Sequence, residues 1–288
     1  MSFDHGPFHN YLEILRRPGV AVPVAGTALA SLPIGILGLA VLLLIKTEHG
    51  SFGQAGAVVA LLGVGTGIGI AVQGRLMDRF GHPHVLLGSV SIQVLSLGAL
   101  ILTLRLDGPQ WLVGAAAFAA GLGEPQVGGA LRALWPGLVK HQQRIAAAAL
   151  SSIVFELPVV SGPLILAAAL LVMSPEATVL MAGGLFLAGA GILAASHAAR
   201  QWKPTGHRAT GVLGPLVSGR VRRVVMVAAA QGIATGLLQV SCAALAVQRH
   251  QTGATGLLYA TSPSVASWAP SGTATDPGRE TTGASSCC

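Results

Sequence analysis

Apolar residues along this chain are grouped into long runs that are separated by short polar gaps. A hydrocarbon core of ~30 Å is crossed by ~20 apolar residues in a helix. Five runs reach that length without a charged residue, and two more are interrupted only by Glu124, Arg132 and Glu156. The seven predicted spans are residues 22–45, 51–74, 85–104, 109–136, 145–173, 177–196 and 224–248. The pattern predicts an all-α polytopic membrane protein.

The composition supports this class and excludes others. Hydrophobic residues make up 52% of the 288 residues, only 9% are charged, and the mean hydropathy is +0.69. A soluble domain carries about a quarter of its residues as charges. The net charge of +7 comes from residues in the gaps between runs, without the interleaved aromatics of a nucleic-acid site. The composition therefore predicts the lipid bilayer as a partner and no nucleic acid, and it leaves the oligomeric state open.

The basic residues also predict an orientation. With the N-terminus inside, twelve Lys and Arg residues fall on the cytoplasmic side of the first seven spans and three on the outer side. Such an excess of basic residues in short loops is typical of the cytoplasmic face. We therefore expect a multi-pass protein of the plasma membrane with a cytoplasmic N-terminus.

A compact charged segment, residues 74–84, connects the second and third predicted spans as a short hydrophilic loop. Its pattern of Gly74, Asp78, Arg79 and Gly81 resembles the loop after the second helix of major facilitator superfamily transporters, which reads roughly Gly-x-x-x-Asp-Arg-x-Gly-Arg-Arg. The basic pair that ends the family pattern is replaced by His-Pro-His. The alternative is an ordinary inter-helix loop that happens to be charged.

The resemblance implies a fold and a role. Members of this family have two bundles of six helices, and the aspartate of this loop helps to close the cytoplasmic face. Gly74, Asp78, Arg79 and Gly81 are then a gating loop. Arg132, near the cytoplasmic end of the fourth span, is the candidate partner of Asp78. Alternatively, Arg132 extends its side chain toward the lipid headgroups.

The fifth span partly resembles the Gly-Pro signature in helix five of antiporter-type family members. It contains Pro158 and the run Ser-Gly-Pro at residues 161–163, but the further glycines of that signature are missing. Proline in a membrane helix removes a hydrogen bond and favours a bend. We expect a kink at Gly162 and Pro163 and transport in the efflux direction, with uptake as the alternative.

Glu124 and Glu156 are the candidate proton-coupling or substrate-binding residues. At ~1.5 Å per residue each lies ~17–21 Å from the entrance of its span, near the middle of the membrane. A carboxylate there is costly unless it is paired, protonated or facing water. Neighbouring antiparallel helices could bring the two together. The alternatives are a protonated structural carboxyl or a cavity-lining residue with no coupling role.

Other polar and small residues inside the spans have less specific interpretations. Gln93 and Gln126 either line a cavity or make interhelical hydrogen bonds. Glycine occupies every second position from Gly63 to Gly69, which predicts close helix packing because the run has no Lys-Ser/Thr and follows no strand. Cysteine and histidine spacings predict no metal site.

The predicted organisation has five parts. They are a cytoplasmic N-terminal segment (1–21), a six-helix bundle (22–196), a basic cytoplasmic linker (197–223), the start of a second bundle (224–261) and a disordered Ser/Pro/Gly tail (262–288). The change in composition within an eighth span suggests a truncated or frameshifted reading frame. A small transporter with a natural tail is the alternative. We expect that this polypeptide alone does not transport, and substrate flux into proteoliposomes containing only this chain would contradict that.

Two classes of function follow from the sequence. The first is secondary transport of a small molecule, proton-coupled and of the efflux type, with the proton gradient as the energy source and no cofactor. The alternative is a non-transporting membrane scaffold or partner-binding helical bundle. An enzyme is not expected, because no Ser/His or His/Glu constellation lies at membrane depth.

Overall fold

The structure is a computed structural model in which residues 13–17, 19–49 and 51–202 are described. This part of the chain is helical and contains no strand. The helices are α1 (Ala21–Ser31), α2 (Ile34–His49), α3 (Phe52–Phe80), α4 (His82–Arg105), α5 (Gln110–Leu122), α6 (Val127–Leu138), α7 (Arg144–Leu170), α8 (Pro175–Ala195) and α9 (His197–Gln201), with a 3₁₀ turn at His141–Gln143.

Five helical segments of the described chain are long and apolar enough to cross a membrane. They are Ala21–Glu48, Phe52–Phe80, His82–Arg105, His141–Leu170 and Pro175–Ala195. They correspond to predicted spans one, two, three, five and six. The prediction of an all-α, membrane-embedded protein is confirmed. The seventh span and the tail lie outside the described residues, as do most of the linker and of the N-terminal segment.

Spans one and four are each made of two helices. Span one consists of α1 and α2, which meet at Leu32 and Pro33, where the proline cannot donate a backbone hydrogen bond. Span four consists of α5 and α6, of 13 and 12 residues. Neither is long enough to cross a bilayer alone, so the predicted span four requires both helices to cross it.

Contacts between helices show the relative direction of two pairs of spans. Spans three and six run antiparallel, because Arg105 at the end of α4 forms a 2.8 Å ion pair with Glu176 at the start of α8, while the His82 ring at the start of α4 makes a T-shaped contact with the Trp202 ring after α9. Spans four and five run antiparallel as well, since Trp135 donates to Ser151 and Gly128 packs on the Phe155 ring. Both pairs are antiparallel, as an alternation of direction along the predicted spans requires.

The connection between spans two and three is shorter than predicted. Residues 74–80 are the last turns of α3 and His82 begins α4, so only Gly81 lies outside a helix. Gly81 has φ +84°, a conformation that favours glycine, and its N–H donates to the Met77 carbonyl at 2.9 Å. The prediction of a hydrophilic loop over residues 74–84 is wrong, because a single glycine reverses the chain.

The core of the bundle is apolar, and so is much of its outer surface. Exposed large side chains are concentrated on α3 and α7, for example Leu61, Ile68, Leu157 and Leu164. In water such a surface would be unfavourable, whereas hydrocarbon accommodates it at no cost. The exposed faces of α3 and α7 are therefore those that suit contact with lipid or with another apolar helix.

Candidate functional site

Spans two and four approach each other closely along one face of α3. A Cβ atom added to Gly69 would lie 2.7 Å from the Leu122 carbonyl oxygen, and one added to Gly65 would collide with the Phe118 carbonyl. From the other side, Gly121 packs against the Leu62 carbonyl. Only glycine allows the backbones to come this close. Short polar side chains on α3 can consequently reach the backbone of span four.

The alternating glycines of span two divide between two faces. Gly65 and Gly69 lie in the contact with span four, whereas Gly63 and Gly67 face open space with no atom within 4 Å of an added Cβ. The predicted close packing is thus confirmed for one pair and wrong for the other. The reason is the helical period, which turns every second residue to the opposite side.

Residues 123–126, which we call the span-four break, separate α5 from α6. Pro125 has no N–H and disfavours helical geometry at the preceding Glu124. The remaining local bonds are short-range: the Glu124 N–H donates to the Gly121 carbonyl at 3.0 Å, and the Val127 N–H donates to the Pro125 carbonyl at 2.9 Å. At the break, several backbone N–H and C=O groups therefore lack the partner four residues away that they would have in a continuous helix.

A side chain from span two binds these backbone groups. Gln73, which is only 3% exposed, donates from Nε2 to the carbonyls of Leu122 and Glu124, both at 2.9 Å. Its Oε1 accepts from the Gln126 N–H at 3.3 Å. Unbonded backbone groups are costly inside a membrane, and neighbouring side chains are one way of satisfying them. Gln73 supplies both donors and an acceptor at the span-four break.

The carboxyl group of Glu124 is bound by the same helix. Thr66 Oγ1 lies 2.8 Å from Glu124 Oε2 and donates to it, with the Leu62 carbonyl at 3.1 Å as the hydroxyl's other acceptor. Thr66 is midway between Phe52 and Phe80, and Glu124 is midway between Gln110 and Leu138. The structure therefore places this half-buried carboxyl at the middle of spans two and four.

Gln93 of span three approaches the span-four break from another side. A Cβ on Gly123 would lie 2.5 Å from the Gln93 backbone nitrogen, so α4 and the break are in contact. Gln93 is fully buried, and neither its Nε2 nor its Oε1 has a hydrogen-bond partner in the described part of the chain. The predicted interhelical hydrogen bond of Gln93 is therefore not found among the described residues. Gln126, by contrast, bonds within and across spans, its Nε2 donating to the Glu124 carbonyl at 3.3 Å.

Glu156 has different surroundings. It is half-buried on α7, close to the middle of span five, and none of the hydrogen bonds or ion pairs found among the described residues involves it. Spans four and five touch nearby through Gly128 and the Phe155 ring, whose nearest atom would lie 3.0 Å from a Cβ on Gly128. No hydrogen bond joins Glu156 to Glu124 within residues 13–17, 19–49 and 51–202.

The predicted gating residues lie at the end of α3 and on α6. Asp78, Arg79 and Arg132 are exposed, and the Arg79 guanidinium lies 5.2 Å from the centre of the Phe80 ring. The ion pairs found in the described segments join Arg17 to Glu13 and Arg105 to Glu176, so Asp78 and Arg132 are not paired with each other in this conformation. Their gating role stays a prediction.

The predicted kink residues of span five lie inside one helix. α7 continues from Arg144 to Leu170 through both prolines, and Ser161 Oγ donates to the Pro158 carbonyl at 3.1 Å. Gly162 packs directly on span one, since a Cβ there would lie 2.7 Å from the Gly35 Cα atom. Gly162 thus allows spans one and five to pack closely. The kink stays a prediction.

Two residues of the site were not identified from the sequence, namely Thr66 and Gln73. Both lie on the α3 face that carries Gly65 and Gly69, at positions separated by two helical turns. A buried amide in an otherwise apolar helix, in phase with a pair of packing glycines, is the signal that could have found Gln73.

The described residues contain no group of three or more His, Cys, Asp or Glu side chains that could hold a metal ion. A shallow groove of about 560 Å³ lies between the N-terminal parts of α3 and α5, and it is lined mainly by apolar residues such as Leu61, Trp111 and Phe118. It does not include the span-four break. Neither a protein-family model nor a curated protein sequence matches this chain.

Proposed function

We propose that this chain is part of a proton-coupled secondary transporter of the major facilitator type, which moves a small molecule across the plasma membrane in the efflux direction. The observation that carries the proposal is the span-four break with the Glu124 carboxyl at mid-membrane, bound by Thr66 of span two at 2.8 Å. Substrate and ion sites of secondary transporters are typically built on discontinuous helices near the midplane.

The chemistry of the break suits reversible proton binding. A carboxyl at this depth is costly when charged and has to be protonated, paired or hydrated. The Thr66 hydroxyl donates to the charged carboxylate and, by rotating, also accepts from the protonated form. Glu124 therefore has a partner in both protonation states, and Glu156 is the second coupling candidate. The exposed Asp78, Arg79 and Arg132 are the proposed gating residues.

The proposal predicts that protonation of Glu124 is linked to a conformational change. The experiment uses the purified full chain in lipid nanodiscs between about pH 5 and pH 9, a range wide enough to include shifted carboxyl groups. Dicyclohexylcarbodiimide, which reacts with protonated carboxyls in apolar surroundings, reports protonation by peptide mass spectrometry. Hydrogen–deuterium exchange of residues 74–84 reports movement at the proposed gating loop. We expect both to change together with pH.

Glu124→Gln is the decisive variant, because glutamine keeps the shape and the acceptor oxygen but binds no proton. We expect it to show one exchange pattern in residues 74–84 at every pH. Glu176→Gln, at the rim of the bundle, is the matched control and keeps the wild-type pH dependence. A Glu124→Gln protein with the full wild-type pH dependence would contradict the proposal.

The scaffold alternative has one observation in its favour. Large apolar side chains at Ile153, Leu157, Val160 and Leu164 form an exposed stripe along α7, which suits a partner helix as well as lipid. A scaffold needs no titrating carboxyl at mid-membrane. Absence of any pH-linked exchange in the wild-type chain, with no carbodiimide reaction at Glu124, would favour it.

A further inference from the structure

The Gln73 carboxamide occupies the place of a backbone hydrogen bond in span four. In a continuous helix the Leu122 carbonyl would accept from the Gln126 N–H, since the two are four residues apart. In the structure the Leu122 carbonyl accepts from Gln73 Nε2 at 2.9 Å, and the Gln126 N–H donates to Gln73 Oε1 at 3.3 Å. A carboxamide has the same donor and acceptor as a peptide group, so it can be inserted between them.

The second N–H of the amide reaches the backbone of Glu124 itself. Nε2 also donates to the Glu124 carbonyl at 2.9 Å, so both of its hydrogens are used. The side chain of the same residue is bound by Thr66, two helical turns earlier on α3. Glu124 is therefore held at its main chain and at its carboxyl by one face of span two.

These bonds are specific to Gln73, as the two other amides nearest the break show. Gln93 is equally buried beside Gly123 and yet its amide binds nothing in the described segments. Gln126 lies within the break, and among the described residues its Nε2 donates only to a carbonyl two residues away, at 3.3 Å. Of the three, only Gln73 bonds to both sides of the break, which it reaches because Gly69, one turn away, brings the two backbones together.

We propose that Gln73 is the positioning residue of Glu124: its carboxamide, inserted between Leu122 and Gln126, keeps span four broken and sets where the Glu124 carboxyl stands. The inference rests on the proposed function, in which Glu124 carries the proton. Pro125 starts the break by removing one N–H, and Gln73 completes it by binding the groups that would otherwise close the helix. The proton site thus depends on a residue that never touches the carboxyl.

The test measures the pH midpoint of carbodiimide labelling at Glu124 in the full chain. Gln73→Leu keeps the volume but removes the donors and the acceptor, and we expect the midpoint to move by about one pH unit or more. Gln54→Leu, the same change on the same helix at a residue whose side chain makes no hydrogen bond among the described residues, is expected to leave the midpoint unchanged. A residue with a merely structural role would lower the folded fraction and leave the midpoint of that fraction unaltered.

A double variant keeps the test decisive if Gln73→Leu does not fold. Adding Pro125→Ala restores the missing N–H, so span four can form a continuous helix that no longer needs the inserted amide. We expect this double variant to fold, with hydrogen-exchange protection at residues 123–127 and a shifted Glu124 midpoint. An unshifted midpoint in either folded variant, or a double variant that fails to fold, would overturn the inference.

The outcomes also separate the inference from the function on which it rests. If wild-type labelling at Glu124 does not depend on pH, the proposed proton coupling fails, whatever Gln73 does. If wild type titrates and Glu124→Gln removes the pH response while Gln73→Leu matches Gln54→Leu, the function stands and the positioning role fails.

Discussion

Spans four and five each carry one glutamate near the middle, and the two are in different situations. Glu124 lies in a broken span, with its carboxyl bound by Thr66 and its main chain bound by Gln73. Glu156 lies in the uninterrupted helix α7 and has no hydrogen-bonding side-chain partner in the described part of the chain. Two glutamates at similar positions along their spans therefore differ in their hydrogen bonds, because the neighbouring helices offer them different partners.

The difference comes from how each span meets its neighbour. Span four meets span two through the glycines Gly65, Gly69 and Gly121, which let backbone touch backbone. Span four meets span five near Glu156 through the Phe155 ring, which lies between Gly128 and α7. The side chains of Thr66 and Gln73 form hydrogen bonds between spans two and four, whereas a phenyl ring fills the space between spans four and five. Packing distance thus determines which carboxyl acquires partners.

The largest effect is expected from separating spans two and four. In Gly69→Ala the new Cβ would lie 2.7 Å from the Leu122 carbonyl oxygen, so the helices have to move apart and the Gln73 and Thr66 bonds are lost. We expect the free energy of unfolding to fall by more than about 2 kcal/mol, measured by SDS titration in detergent micelles.

Gly67→Ala is the control for this change, because it makes the same substitution on the same helix two residues earlier. Its Cβ enters open space, and alanine favours the helix over glycine by about 1 kcal/mol. We expect an unchanged or slightly raised free energy of unfolding. Equal losses in the two variants would show that the close contact seen at Gly69 does not contribute to stability.

An intermediate effect is expected from removing the carboxyls themselves. Glu124→Ala leaves the Thr66 hydroxyl without its partner across the helices, which should lower the free energy of unfolding by about 1–2 kcal/mol. Glu156→Ala removes no observed bond and should change it by less than about 0.5 kcal/mol. The same SDS titration measures both, and Glu124→Gln, which keeps an acceptor oxygen, should restore most of the loss.

This pair of variants tests the comparison directly. A loss at Glu156→Ala as large as that at Glu124→Ala would mean that span five engages its carboxyl as firmly as span four does. The contrast between the two spans would then be wrong.

The smallest effect is expected at Thr66. Thr66→Val keeps the shape and removes one hydroxyl, so we expect the free energy of unfolding to fall by about 1 kcal/mol. Thr103→Val on α4 is matched to it, because within the described part of the chain the Thr103 hydroxyl bonds only to the Ala99 carbonyl of its own helix, at 2.7 Å. Thr103→Val should be close to neutral. Equal free energies of unfolding for the two threonine variants would show that the hydrogen bond between Thr66 and Glu124 contributes little to stability.

Several features of the fold were predictable from residues close in sequence. The apolar runs located the spans, including the one that contains Glu124, because a run of about twenty apolar residues has few alternatives to a membrane helix. The loop predicted over residues 74–84 was too long, because Arg75, Asp78 and Arg79 are charged and nevertheless lie in α3, which ends at Phe80. Charge marks where a helix leaves the membrane, and it does not mark where the helix ends.

The span-four break was visible in the sequence only in part. Gly123 and Pro125 are both helix-weakening residues, yet proline within a membrane helix has more than one outcome: α7 continues through Pro158, whereas span four stops before Pro125. At span four, Gln73 of the neighbouring helix forms hydrogen bonds with the backbone groups that the break frees. Such a partner lies far away in the sequence and cannot be predicted from the residues around the proline.

The sequence by itself determined the all-helical class of the protein and five of the six long apolar helices that it predicted within the described part. These follow from local patterns, because in lipid each segment has to satisfy its own backbone as a helix. Only the tertiary structure decided which glycines pack, which carboxyl is bound and that Gln73 enters span four. Those contacts join residues about fifty positions apart, and their formation depends on how closely two backbones approach, a distance that no single segment encodes.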